Sequence, residues 1–312
     1  MRLFYLFFGL FSVLAFNGCI DDDSEDCPTD IENNFVIKFR YVSNESGELF
    51  IKKIKKVDVF VFRENGEYVM SQDADIDALT NFAGVSLNLE PGNYRIVCWG
   101  NASGKSFVSP LSTNSLMKDA FVCNMSLRNG TSAIDGDTLY YALDNTVLSP
   151  SLKVTTVSET IIERILDFRR AFIKVQVYVK GLVDKDTQGN LLAPIVEMTE
   201  VPSTYNFEMQ AIGTPIRYLN TSVFENISGE KIASITFNTL RFKDDNPINI
   251  QIKKSSDGSM ITSIGLTDFM KKNNITVEGK EEAVIPILVE YKEASVEISV
   301  PEWWQILVTP EL

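Results

Sequence analysis

Cys19 is the residue best placed for covalent chemistry. It follows a segment with one positive charge, Arg2, and an apolar run of 14 residues from Leu3 to Phe16. That length suits a signal peptide and is too short to span a bilayer as a helix. Gly18-Cys19 reads as the end of a lipobox, although Phe16 and Asn17 depart from its usual Leu and small-residue positions. Residues 1–18 are therefore expected to be removed and Cys19 to carry acyl chains. Several chains on one residue anchor a protein stably where a single chain is marginal.

The run Ile20-Asp21-Asp22-Asp23-Ser24-Glu25-Asp26 follows at once. It resembles the surface-export signal of Bacteroidales-type lipoproteins, with Asp21, Asp22 and Asp23 at its centre, and so implies the outer face of the outer membrane. The plainer reading is a solvated tether, and both can hold. The polar stretch from Ile20 to Asn34, with Pro28, reaches roughly 45 Å when extended, enough to clear a membrane surface.

The remaining candidates for chemistry are few. With Cys19 acylated, Cys27, Cys98 and Cys123 remain, enough for one disulfide. The pair Cys98–Cys123 and two plain buried thiols both fit an oxidising envelope. The sequence has no histidine, which removes Ser-His-Asp and Cys-His catalysis and the commonest metal ligand. Two carboxylates facing one cleft could still hydrolyse a glycoside, but no spacing singles out such a pair. The stretch Asp184-Lys185-Asp186-Thr187-Gln188-Gly189-Asn190 begins like a calcium loop, yet its twelfth position is Ile195 where a bidentate Glu is needed. It reads as a Gly-Asn turn, and Asp135-Gly136-Asp137 likewise. No enzyme, metal or cofactor is expected.

Removing residues 1–18 takes away Arg2 alone and leaves 28 basic against 42 acidic groups, a net charge of −14. Such a balance argues against nucleic acid. The one dense basic stretch, Lys52, Lys53, Lys55 and Lys56, reads as a solvated strand flank that resists aggregation. At 312 residues the chain suits two domains. We expect a signal peptide at 1–18, a lipidated tether at 19–33 and two β domains at 34–160 and 161–312. The boundary lies near the aperiodic, Ser/Thr-rich stretch 144–160, which holds Pro150.

The elements that would carry this chain are strands, because period-two alternation recurs throughout. From Asn34 to Tyr41, Phe35, Ile37, Phe39 and Tyr41 share one face, with Lys38 and Arg40 on the other. Lys56–Arg63 is apolar on both faces, as a central strand is. Phe82–Leu89 and Tyr94–Asn101 read as a hairpin through Pro91-Gly92. A short helix is expected between Thr113 and Cys123, then a strand at Asp137–Leu143. Ala171–Lys180 alternates with Ile173, Val175, Val177 and Val179 inward. Further strands are expected at Tyr205–Met209, Ser234–Phe242 and Ile248–Lys253. A hairpin of Ala283–Tyr291 and Ser295–Val300, closed by Trp303-Trp304, ends the series. Short strands, few helices and turn-rich links predict antiparallel sandwiches. The tail Gln305–Leu312 reads as a frayed end.

Several separated pieces resemble the fimbrillin-associated anchor lipoproteins, the base subunits of type V pili that make minor and major fimbriae in Bacteroidales. They are Cys19-Ile20-Asp21-Asp22-Asp23 with Asp26-Cys27-Pro28, the strand Gly92-Asn93-Tyr94 to Trp99-Gly100-Asn101, the Arg-led strand Arg170-Ala171-Phe172-Ile173-Lys174-Val175, and Val296–Val300 with Trp303. Cys98 stands where that family more often has a small residue. The resemblance implies an all-β protein of two transthyretin-like antiparallel β-sandwich domains with short helical crossovers, and no catalysis. It implies a lipid on Cys19, a place on the outer membrane, and a role in holding a fimbrial shaft there and limiting its length. It also implies a shaft subunit as partner, joined by strand addition. Shaft subunits of such pili lose their first strand to proteolysis. An anchor must keep it, because a cut at Asn34–Tyr41 would release the protein from its lipid.

Two other readings compete. A tip or accessory subunit of the same pilus would also carry a lipobox. A surface glycan-binding lipoprotein would place aromatics in loops, whereas here they fall mostly within alternating strands.

Overall fold

A computed structural model describes residues 34–43, 47–148 and 162–304. The fold is all-β, built as stacked sheets around three apolar cores. Strands Val57–Arg63, Tyr68–Ala74, Gly92–Gly100, Tyr140–Leu148 and Arg169–Arg170 form a central five-stranded sheet. The two-sided apolar pattern of 56–63 is accounted for by this sheet, which has both faces covered. Val57, Val59 and Val61 enter one core and Phe60 and Phe62 another.

On the first face lies a three-stranded sheet in the order Ile162–Asp167, Phe35–Arg40, Gly84–Leu87. On the second lies a four-stranded sheet in the order Ala211–Ile212, Thr204–Asn206, Phe121–Asn124, Ser106–Val108. Its core gathers Trp99, Tyr141, Val122, Tyr205 and Phe207, with Trp99 and Tyr205 stacked at 5.9 Å.

The second sandwich pairs a five-stranded sheet with a four-stranded one. The first contains Phe172–Lys180 between Glu230–Leu240 and Val284–Lys292, with Val223–Ile227 and Ser295–Ser299 at its edges. The second runs Ile216–Thr221, Ile195–Val201, Asn249–Lys253, Met260–Gly265. Ile173, Val175, Val177 and Val179 are all buried, as the alternation requires. The closing hairpin is present, with Leu288 opposite Ser299 and Lys292 opposite Ser295. Among the described residues two strand ladders are parallel, Phe35–Arg40 with Ile162–Asp167 and Phe172–Lys180 with Val284–Lys292. Both join segments far apart in sequence, as parallel pairs must.

Some expectations are corrected. Gly84–Leu87 and Gly92–Gly100 do not pair: the first bonds to Phe35–Arg40, the second to Val57–Arg63 and Tyr140–Leu148. The Pro91-Gly92 turn instead carries the chain from one sheet to the facing one. Val85 and Leu87 thereby meet Ile96 and Cys98 across a core rather than along a ladder. The helix expected between Thr113 and Cys123 is a single 3-10 turn, Met117–Asp119, and Phe121 already begins a strand. The strand expected at Asp137–Leu143 starts at Tyr140 and continues to Leu148, into the stretch that lacks periodicity. The helical crossovers are short. Asp75 caps Ile76–Asn81 by accepting from Ala78 N–H at 3.0 Å, and Asn124 caps Met125–Asn129.

Candidate functional site

The first described strand, Phe35–Arg40, is the middle strand of its sheet, flanked on both sides. Phe35, Ile37 and Tyr41 are wholly buried and Phe39 nearly so. Burying four such side chains contributes about 1.5–3 kcal/mol each. Phe39 meets Phe168 edge-on at 5.5 Å and Tyr41 meets Tyr140 at 4.9 Å. The strand's outward residues are held as well. Lys38 Nζ sits 3.5 Å above the Phe82 ring, and the Arg40 guanidinium grips both oxygens of Asp167 at 2.5 and 2.8 Å. At its start, the Asn34 side chain bonds both ways to the Leu89 backbone, at 2.7 and 2.9 Å.

Beyond Arg40, Tyr41 ties this strand to the second sandwich. Its hydroxyl donates to Glu282 at 2.8 Å, and burial pushes its pKa far up. Arg170 N–H donates to the neighbouring Glu281 carboxylate, and the Arg170 side chain is 4% exposed over the Phe172 ring. Its Nε and Nη2 lack a hydrogen-bond partner, and burial draws its pKa down. A second clasp lies at Asp135, whose carboxylate accepts from Asn238 N–H at 2.7 Å and from Lys105 Nζ at 2.8 Å. Gly136 is required there, because a Cβ would lie 2.3 Å from the Asn238 carbonyl oxygen.

Cys19, Asp21, Asp22, Asp23 and Cys27 lie outside the described residues, as does the tail Gln305–Leu312. Cys98 and Cys123 are free, buried thiols, one in the central sheet and one in its cover; burial pushes both up in pKa. In the loop that begins at Asp184, the carboxylates bond to protein donors. Asp184 accepts from Ser255 N–H at 2.8 Å and Ser256 N–H at 3.1 Å, and Asp186 from Gln188 and Asn190 N–H at 2.9 and 2.8 Å. Hydrogen bonds outweigh burial and hold Asp184 below the usual carboxylate range. Among the described residues no His, Cys, Asp and Glu cluster could hold a metal ion, and no helix is long and apolar enough to cross a membrane. Lys55 bonds to the Ile51 carbonyl at 2.5 Å and Lys56 to Asp58 at 2.7 Å, on the strand flank where they were expected.

Sequence reasoning missed Glu281, Glu282 and the pairing of Asp135 with Asn238, since each partner lies more than 100 residues from the group it binds. Arg170 and the Gly between two aspartates were visible signals without a visible partner.

Curated proteins give no sequence match. Solved structures do share the fold. A candidate polysaccharide-binding protein from Bacteroides thetaiotaomicron aligns with a TM-score of 0.67 and 16% identity over 87% of this chain and 97% of that one. A candidate adhesin from Bacteroides ovatus gives 0.66 and 16% over 86% and 93%. The fimbrial anchor protein Mfa2 from Porphyromonas gingivalis gives 0.64 and 14% over 85% and 96%. A family model matches residues 24–308, and by that match the chain belongs to the fimbrillin-A associated anchor proteins Mfa1 and Mfa2.

Proposed function

We propose that this fimbria-associated chain is the lipid-anchored base subunit of a surface fimbria. Cys19 carries the acyl chains, Asp21, Asp22 and Asp23 direct the protein to the outer face of the outer membrane, and the folded body holds the shaft and limits its growth. The observation that carries this reading is the first strand. Phe35–Arg40 is the protein's own, lies between two neighbours and fills its core with Phe35, Ile37 and Phe39. A subunit that keeps this strand has no vacancy there for a neighbour's strand, which suits the end of a fibre. The same strand joins the body directly to the tether at 19–33.

The shaft subunit is the proposed partner, joined by strand addition, and no catalytic step is assigned. Among the described residues the aromatic side chains are buried or half-buried rather than exposed, and the glycan reading ranks second. The division at residues 160 and 161 belongs to the same proposal, with one qualification. Ile162–Asp167 follows the boundary in sequence yet pairs with Phe35–Arg40. Limited proteolysis should therefore yield two halves that stay associated. The lipid is tested by metabolic labelling with a palmitate analogue. Label on the wild type and its loss in Cys19→Ala support the reading, and unlabelled wild type overturns it.

A further inference from the structure

The four-stranded sheet over the second face of the central sheet ends at Ser106–Val108. In its ladder Ser106 faces Asn124, Phe107 faces Cys123 and Val108 faces Val122. Just beyond, Met125 N–H donates to the Lys105 carbonyl at 2.8 Å and Ser109 N–H to the Phe121 carbonyl at 2.9 Å. Antiparallel ladders alternate bonded and unbonded pairs. Phe107 therefore bonds inward, while Val108 turns both its N–H and its C=O toward the open side. Ser106 N–H is taken by the Ser103 carbonyl at 2.7 Å, which leaves the Ser106 carbonyl facing outward.

Along this edge runs a groove of about 550 Å³, with Ser106, Val108 and Leu111 in its wall and Asp58, Phe60 and Ser71 in its floor. Phe60, Val108 and Leu111 belong to the border of the aromatic core beneath. One polar atom in the floor is unmet: Asp58 Oδ1 takes Lys56 at 2.7 Å, but Oδ2 is buried without a partner. Asp73 lies directly across the ladder from Asp58, so two carboxylates there face one lysine.

We propose that this groove receives an extended segment of the fimbrial shaft subunit as a fifth strand of the covering sheet, with a Lys or Arg side chain of that segment above Asp58. The inference rests on the fimbrial reading and names its contact surface. Val108 offers one donor and one acceptor to a backbone, as strand addition requires. Alternate side chains of the added strand reach the apolar floor at Phe60. Asp58 Oδ2 completes a charge-assisted bond to the incoming cation.

The test places photo-crosslinking p-benzoylphenylalanine at Ser71, and at Glu225 in the second sandwich as a control, in the full chain on fimbriated cells. We expect an adduct from position 71, mapped by mass spectrometry to an extended, Lys- or Arg-bearing segment of the shaft subunit. Val108→Pro should reduce it at least fivefold, because proline at an outward-facing edge position is tolerated by the fold but cannot donate. Asp58→Asn should reduce it less. No shaft adduct from position 71, an adduct only to polysaccharide or a second copy of this chain, or one that Val108→Pro leaves unchanged, would overturn the proposal. Cys19→Ala separates the two readings: a lost lipid anchor sheds the fibre without abolishing this crosslink.

Discussion

The two halves of the molecule bury different kinds of side chain. Around the central sheet the cores hold Phe35, Phe39, Tyr41, Phe50, Trp99, Tyr141, Tyr205 and Phe207 among others, whereas the second sandwich is packed mainly with Val and Ile, its buried aromatics being Tyr218, Phe237 and Phe269. Aromatic rings add edge and stacking geometry to the area that they bury, so they fix the position of what they touch. Aliphatic packing across two ladders gives stability with less positional demand. The half that contains Phe35–Arg40 thus holds one strand in place, and the other half is a more ordinary sandwich. With the proposed lipid on Cys19, tension would reach the body at Phe35–Arg40, where the Phe39 ring meets Phe50 and Phe168.

The largest effect should come from the strand itself. Phe39→Ala removes a ring that touches Phe50 and Phe168 and is expected to cost about 3–5 kcal/mol, read by urea denaturation. In the second sandwich the like-for-like Phe237→Ala, whose ring meets Tyr218 at 6.0 Å, should cost nearer the lower end of that range. Equal losses would erase the proposed difference between the halves. Next comes the tie between them: Tyr41→Phe removes the hydrogen bond to Glu282, whose exposed carboxylate then turns to water, and should cost about 0.5–1.5 kcal/mol, with faster amide exchange at Phe35–Arg40.

Acid should loosen the second half through Asp184 and Asp244. Hydrogen bonds outweigh burial and hold both carboxyls below their ordinary value, the donors to Asp244 being Thr276, Val277 and Glu278. A lowered folded-state pKa gives stability that is complete above the unfolded value, about pH 4, and is lost as pH falls through the folded one. Denaturation midpoints should therefore fall with pH below about 4, and Asp244→Asn should flatten that slope. The smallest effect is expected for Arg40→Ala. Its pair with Asp167 is exposed on both sides, so the melting temperature should stay unchanged.

Much of this organisation was legible wherever one face of a strand is buried. Phe35–Arg40 and Phe172–Lys180 show alternation that survives in the structure, Val57–Arg63 shows its two-sided burial, and the closing hairpin keeps its pairing, although Val296 is exposed. Strands without a clean buried face were less legible. Val223–Ile227 is largely exposed, Tyr68–Ala74 is mostly half-buried, both mix polar with apolar residues, and the inner strand Ile195–Val201 carries a bulge where Glu200 takes a φ of 59°. Pro91-Gly92 announced a bend but not which sheet lay beyond it. Of the candidate site, Cys19 and its acidic run lie outside the described residues and stand as proposals from sequence. The seat of the first strand could not be read there, since Ile162–Asp167 and Glu282 reach it from over 100 residues away.

The central claim is that a lipid on Cys19 holds the shaft to the cell. The direct measurement shears fimbriated cells carrying wild type or Cys19→Ala and compares, by immunoblot, the shaft protein that stays cell-bound with that shed into the medium. Shedding in the variant, with longer fibres, is the expected result. Attachment equal to wild type, with the variant protein folded and present, would contradict the account.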